Sequence, residues 1–95
     1  LDLSKNSLKN LSSTTFKNLF SLIHLNLSSN FIENLPNFLF IDLYALIRLD
    51  LSKNSISFLE NEIFQNLLNL EYLNIHGNKL KILNDDYFKQ LMNLI

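Results

Sequence analysis

Leu22-Ile23-His24-Leu25-Asn26-Leu27-Ser28-Ser29-Asn30 reads Leu-x-x-Leu-x-Leu-x-x-Asn, and the same frame returns at 46–54 and 70–78. Leu22, Leu46, Leu70 and Leu94 stand 24 residues apart, as do Asn6, Asn30, Asn54 and Asn78. Phe16, Phe40, Phe64 and Phe88 keep that interval, and so do Leu11, Leu35, Leu59 and Leu83. Self-similarity at such a period marks a solenoid, whose units stack only on their neighbours.

Within a unit the pattern dictates local structure. Leu1 and Leu3 flank Asp2, Leu25 and Leu27 flank Asn26, and Leu49 and Leu51 flank Asp50. Alternation of period two predicts a half-buried strand with its leucines inward and the intervening residues facing solvent. The Asn column follows where the chain turns out of the strand; its carboxamide carries both donors and an acceptor for backbone groups that would otherwise be buried unpaired. Stacked in register, these side chains are expected to form a ladder along the coil axis. Beyond it, Phe16, Leu19 and Leu22 recur at spacing three, which suits a short 3₁₀ or single-turn return on the far side. Pro36 falls in such a returning arm, where its fixed φ and missing N–H are tolerated.

Counted from the repeat start, the units are 22–45, 46–69 and 70–93, with a partial unit at 1–21 and the opening of another at 94–95. Neither end supplies the polar-faced cap that a solenoid needs, so the expectation is an interior, uncapped segment of a longer protein.

The pattern Leu-x-x-Leu-x-Leu-x-x-Asn-x-Ile/Leu-x-x-Leu-x-x-x-x-Phe-x-x-Leu resembles the leucine-rich repeat family, in its typical 24-residue class. The resemblance covers the whole chain. It implies an α/β solenoid: a right-handed coil with a concave parallel β-sheet, an irregular or 3₁₀ convex side, and the Phe residues stacked beneath that side. Repeats of this class look like those of Toll-like receptors, Slit-type guidance proteins, small proteoglycans and neuronal adhesion receptors, which implies a secreted or cell-surface location. The Gly-x-Ile-Pro of the plant-specific class is absent, and so are the cysteine-containing caps of extracellular members. A cytoplasmic scaffold or regulatory domain is the alternative.

With 8 basic against 9 acidic side chains, one Gly and no Cys among 95 residues, the chain has no electrostatic footprint for phosphate backbones or anionic membranes. The expected partner is therefore a protein ligand, with no nucleic acid and no membrane insertion in this segment. No cofactor and no enzyme activity are expected. His24 and His76 lie two strands apart and at different heights, too far for one zinc ion. Asp2 and Asp50 share a row separated by Asn26, about 10 Å apart at the usual strand spacing, with no nucleophile beside them. Asp85-Asp86 reads as a solvated turn, and a single Gly cannot build a phosphate loop.

The candidate contact residues are the solvent-facing positions of the concave strands, which also include Ser4, Lys5, Ser28, Ser29, Ser52, Lys53 and Gly77. His24, Arg48 and Tyr72 hold one repeat position on successive strands, so they form a row with neighbours about 4.8 Å apart. Extended by Phe31, Asp50, Asn74 and His76, this row is the expected ligand patch, since Tyr and Arg so often dominate interfaces. Repeats one and three share Leu-Asp-Leu-Ser-Lys-Asn-Ser, as generic spacer repeats would.

A second column, Phe20, Tyr44, Leu68 and Met92, is flanked by Ile23, Ile47 and Ile95. This apolar stripe is either a surface for lateral homo-association or is half-buried beneath adjacent loops. Asn10-Leu11-Ser12 and Asn26-Leu27-Ser28 fit the N-glycosylation acceptor pattern, and 15 Asn with 12 Ser or Thr yield about two such triplets by chance.

Overall fold

The structure, a computed structural model, describes residues 1–81. Leu83, Phe88, Leu94, Met92, Ile95 and the Asp85-Asp86 pair therefore lie outside the described residues. Three short strands, β1 (His24–Asn26), β2 (Arg48–Asp50) and β3 (Tyr72–Asn74), form one parallel sheet in chain order. The register is one whole repeat: His24 pairs with Arg48 and Arg48 with Tyr72. The first unit joins as a single parallel bridge between Asp2 and Asn26.

Pairing continues past each strand end. The N–H groups of Lys5, Ser29 and Lys53 donate to the carbonyls of Ser28, Ser52 and His76 at 2.8–3.0 Å. The chain then turns sharply, because Lys5, Ser29, Lys53 and Gly77 are all left-handed, with φ of 56°, 56°, 55° and 72°. Only Gly77 adopts this conformation without steric cost; the other three are held there by the bonds on either side.

The Asn ladder follows, and it is not a stack of side chain on side chain. Asn54 Nδ2 donates to its own strand end at Leu51 O and Ser52 O and reaches the preceding coil at Leu27 O, while its Oδ1 accepts the Ile32 N–H. Asn30 and Asn78 repeat the arrangement one coil earlier and one later. Each carboxamide thus bridges two coils through backbone groups, which is why Asn30 and Asn54 can be buried at 5% and 7% exposure without an unmet hydrogen bond.

Leucines and isoleucines of successive coils fill the interior, with Leu25, Leu27, Leu46, Leu49, Leu51, Ile56 and Leu70 essentially inaccessible. Phe16 and Phe40 stack beneath the convex side, ring centroids 6.4 Å apart and planes 15° from parallel, and Phe64 is buried in the same column. Leu39 and Ile63 add a buried column that the spacing did not single out. Leu19 departs from expectation at 37% exposure, while Leu43 and Leu67 are buried.

The returning arms are turns, and the described residues contain no helix. Single i→i+3 bonds recur in the three described arms, for example Lys17 N–H to Thr14 O, Ile41 N–H to Phe38 O and Gln65 N–H to Glu62 O. The expected 3₁₀ turn is therefore broken into separate closures, with Asn18 and Asn66 left-handed between them at φ 66° and 73°. Pro36 opens the second arm and its carbonyl accepts the Leu39 N–H.

Candidate functional site

A three-residue strand leaves its first and last side chains on the same face, and both lie on the concave wall. His24, Arg48 and Tyr72 open the three strands and are exposed, whereas Leu25 and Leu49 between them are buried. Asn26, Asp50 and Asn74 close the strands, and Asp2 extends their row through its bridge. A cavity of about 380 Å³ opens here. It is lined by His24, Arg48 and Tyr72 from the first row, by Asp2, Asn26 and Asp50 from the second, and by Leu1 and Leu25.

The second row has a structural task that the sequence reading did not foresee. Asp2 Oδ1 accepts the Ser4 N–H, Asn26 Oδ1 that of Ser28, Asp50 Oδ1 that of Ser52 and Asn74 Oδ1 that of His76, all at 2.9 Å. Every unit therefore ends its strand in an Asx turn, the local bond that Asp and Asn make to a backbone N–H two residues on. The signal was available: this column holds Asp, Asn, Asp and Asn in turn. At Asp2 the Ser4 hydroxyl also donates, at 2.6 Å, and the hydroxyl and N–H together hold the carboxyl below its ordinary value.

The first row brings a cation and an aromatic ring together. Arg48 stacks its guanidinium over the Tyr72 ring, 5.0 Å from the centroid, a cation–π geometry. Tyr72 is held in turn, because Asn74 Nδ2 donates to its hydroxyl at 3.3 Å while Asn74 Oδ1 is tied to His76 N–H. Among the described residues the ion pair present is Lys9–Glu33, an exposed contact at 4.0 Å far along the coil. Arg48 has no carboxylate partner and no side-chain hydrogen bond among those residues, although Asp50 is two positions away on the same strand face.

Not every expected patch residue belongs here. Phe31 is 59% exposed but lies beyond the ladder, where its N–H donates to Leu8 O, so it is on the flank and not on the concave wall. His76 follows β3 in the turn, and Asn74 acts through Tyr72 without lining the cavity. Ser52, expected to face solvent, is buried at 6%, while Ser28 in the same column is half-buried and His76 is exposed. Leu1, Asp2, Leu25 and Asn26 were missing from the expected patch and do line the cavity.

Of the two glycosylation candidates, Asn10 is exposed. Asn26 is half-buried, with its Oδ1 already engaged by Ser28. The apolar stripe is open: Phe20, Tyr44 and Leu68 are 46%, 47% and 51% exposed, and Phe20 and Tyr44 stack with centroids 5.7 Å apart. Among the described residues no three His, Asp or Glu converge as a metal site, and no helix is long and apolar enough to cross a membrane.

A family model for the leucine rich repeat matches residues 1–54, 23–80 and 45–94. The fold is similar to that in a crystal structure of a TLR13-ssRNA13 complex, with a TM-score of 0.75 and 28% sequence identity over 99% of the chain. The chain spans 17% of the length of that neighbour. A search of curated protein sequences returned no match.

Proposed function

Because this chain belongs to the leucine-rich repeat family, we propose that it is a non-catalytic protein-binding segment, interior to an extracellular or cell-surface receptor or adhesion ectodomain. The observation that supports this reading is the row His24–Arg48–Tyr72, in register on a rigid sheet and opening on one cavity. A strand ladder fixes the spacing of such side chains, so little conformational freedom is lost when a partner docks. Arg and Tyr supply the stacking and fork-like hydrogen bonding common in interface hot spots. The alternative, an intracellular scaffold, would use the same surface, and the likeness to a TLR13 structure favours the receptor setting. Asn10 and Asn26 are the proposed glycan acceptors if that setting holds.

The test is capture by the full-length protein. Alanine at His24, Arg48 and Tyr72 together is expected to abolish retention of its protein partner, while alanine at the convex Lys17 leaves retention unchanged. Equal retention by both would refute the reading.

A second reading rests on one observation. An exposed Tyr72 beneath Arg48 is also a platform on which a base could stack, with the guanidinium beside a phosphate, and the similar TLR13 structure is an ssRNA13 complex. Against it stand the near-neutral charge and the two carboxylates lining the cavity. Binding of a single-stranded RNA that collapses steeply with salt would favour it.

A further inference from the structure

We infer that the concave cavity recognises one pair of opposite charges on an extended segment of a protein partner: a carboxylate at Arg48 and an ammonium or guanidinium at Asp50. This rests on the reading of the concave row as the contact surface.

Arg48 supplies the anion-binding half. Its guanidinium lies over the Tyr72 ring, 5.0 Å from the centroid, and the Tyr72 hydroxyl accepts from Asn74 Nδ2, so the donors are placed over the ring before any partner arrives. With no acceptor among the described residues, that fork matches a carboxylate offered two oxygens at a time. Asp50 is the other half. Its Oδ1 is occupied by the Ser52 N–H, which fixes the carboxylate, while Oδ2 has no hydrogen-bond partner among the described residues and the group lines the same cavity.

Arg48 and Asp50 open and close β2, two residues apart and about 6.6 Å along the strand. An extended partner presents its own residues i and i+2 on one face at the same spacing. A Glu-x-Lys or Asp-x-Arg triplet lying along β2 in the matching direction thus meets both groups at once. The adjoining coils do not compete, since the equivalent positions are His24 and Asn26 on one side and Tyr72 and Asn74 on the other. A polyanion is disfavoured, because a second phosphate beside Arg48 would face Asp50, and Asp2 lies in the same cavity.

Biolayer interferometry on the full-length protein tests this with two synthetic peptides of one composition in a Thr/Val background, Glu-x-Lys in one and adjacent Glu-Lys in the other, and with a single-stranded RNA oligonucleotide. The expected result is that the spaced peptide binds about tenfold more tightly. Arg48→Ala should erase the preference. Asp50→Asn, which keeps the Asx turn as Asn26 and Asn74 already do, should weaken the spaced peptide several-fold. Equal affinity for both peptides, no binding of either, or tighter binding of the RNA than of the spaced peptide by the unsubstituted protein overturns the inference. If the triple alanine variant loses the natural partner while Asp50→Asn retains it fully, only the charge pairing fails. If neither variant loses the partner, the concave reading fails with it.

Discussion

Asn54→Ala isolates the ladder's contribution to the fold. The substitution removes four hydrogen bonds, three donated by Nδ2 and one accepted by Oδ1, yet their consequences differ. Leu27 O keeps the bond from Asn30 Nδ2, Leu51 O keeps that from Asn78 Nδ2, and Ser52 O keeps that from the Ser29 N–H. The Ile32 N–H keeps nothing, and its residue is fully buried. One orphaned buried donor costs about 1–3 kcal/mol, and three shared acceptor bonds add about 1 kcal/mol in all, for a loss near 2–4 kcal/mol. Urea unfolding measures the total, and amide hydrogen exchange locates it. Ile32 should lose its protection in Asn54→Ala, while Ile56, held by Asn78 Oδ1, keeps it. A cost below about 1 kcal/mol, or unchanged protection at Ile32, would refute the reasoning.

Three further outcomes follow from the packing and the backbone. Phe40→Ala, which empties the centre of the convex stack, is expected to cost about 3–5 kcal/mol, whereas Phe20→Ala on the open stripe should cost less than about 1 kcal/mol; thermal unfolding of the pair reads the contrast. Phe38 is exposed and left-handed at φ 65°, an unfavourable conformation for a bulky side chain, so Phe38→Asn should stabilise by roughly 0.5–1 kcal/mol, measured as a rise in unfolding midpoint. Because the Asp2 carboxyl titrates below its ordinary value, its contribution to stability is complete above the unfolded pKa and fades as pH falls through the folded one; NMR titration should place the Asp2 midpoint below that of an unfolded peptide, and Asp2→Asn should remove that acid dependence.

Much of the fold was legible because a leucine at a fixed period has one physical meaning, and Leu25, Leu27, Leu49, Leu51, Phe16, Phe40 and Phe64 are all interior. Strand register followed for the same reason, since His24, Arg48 and Tyr72 could only align if each unit makes one full coil. The hydrogen-bond wiring was less accessible. Asn54 bonds to backbone of two coils and not to Asn30, a distinction of orientation that composition does not carry. The left-handed column was announced only by Gly77, because Lys5, Ser29 and Lys53 adopt the same φ without looking like turn residues. The candidate site was half visible. Residue types placed Arg48 and Tyr72 side by side, but the stacking, the support from Asn74 and the exclusion of Phe31 depend on side-chain rotamers and on where the strand stops.

Site-specific photocrosslinking from the full-length protein bears most directly on the concave wall as the ligand surface. With benzoylphenylalanine placed in turn at Tyr72 and at Phe20, Phe38 and Phe58, which are exposed away from the concave strands, a partner adduct is expected from position 72 and from none of the others. Adducts from position 20, 38 or 58 with none from 72 would move recognition to the flanks or the convex side and contradict the account.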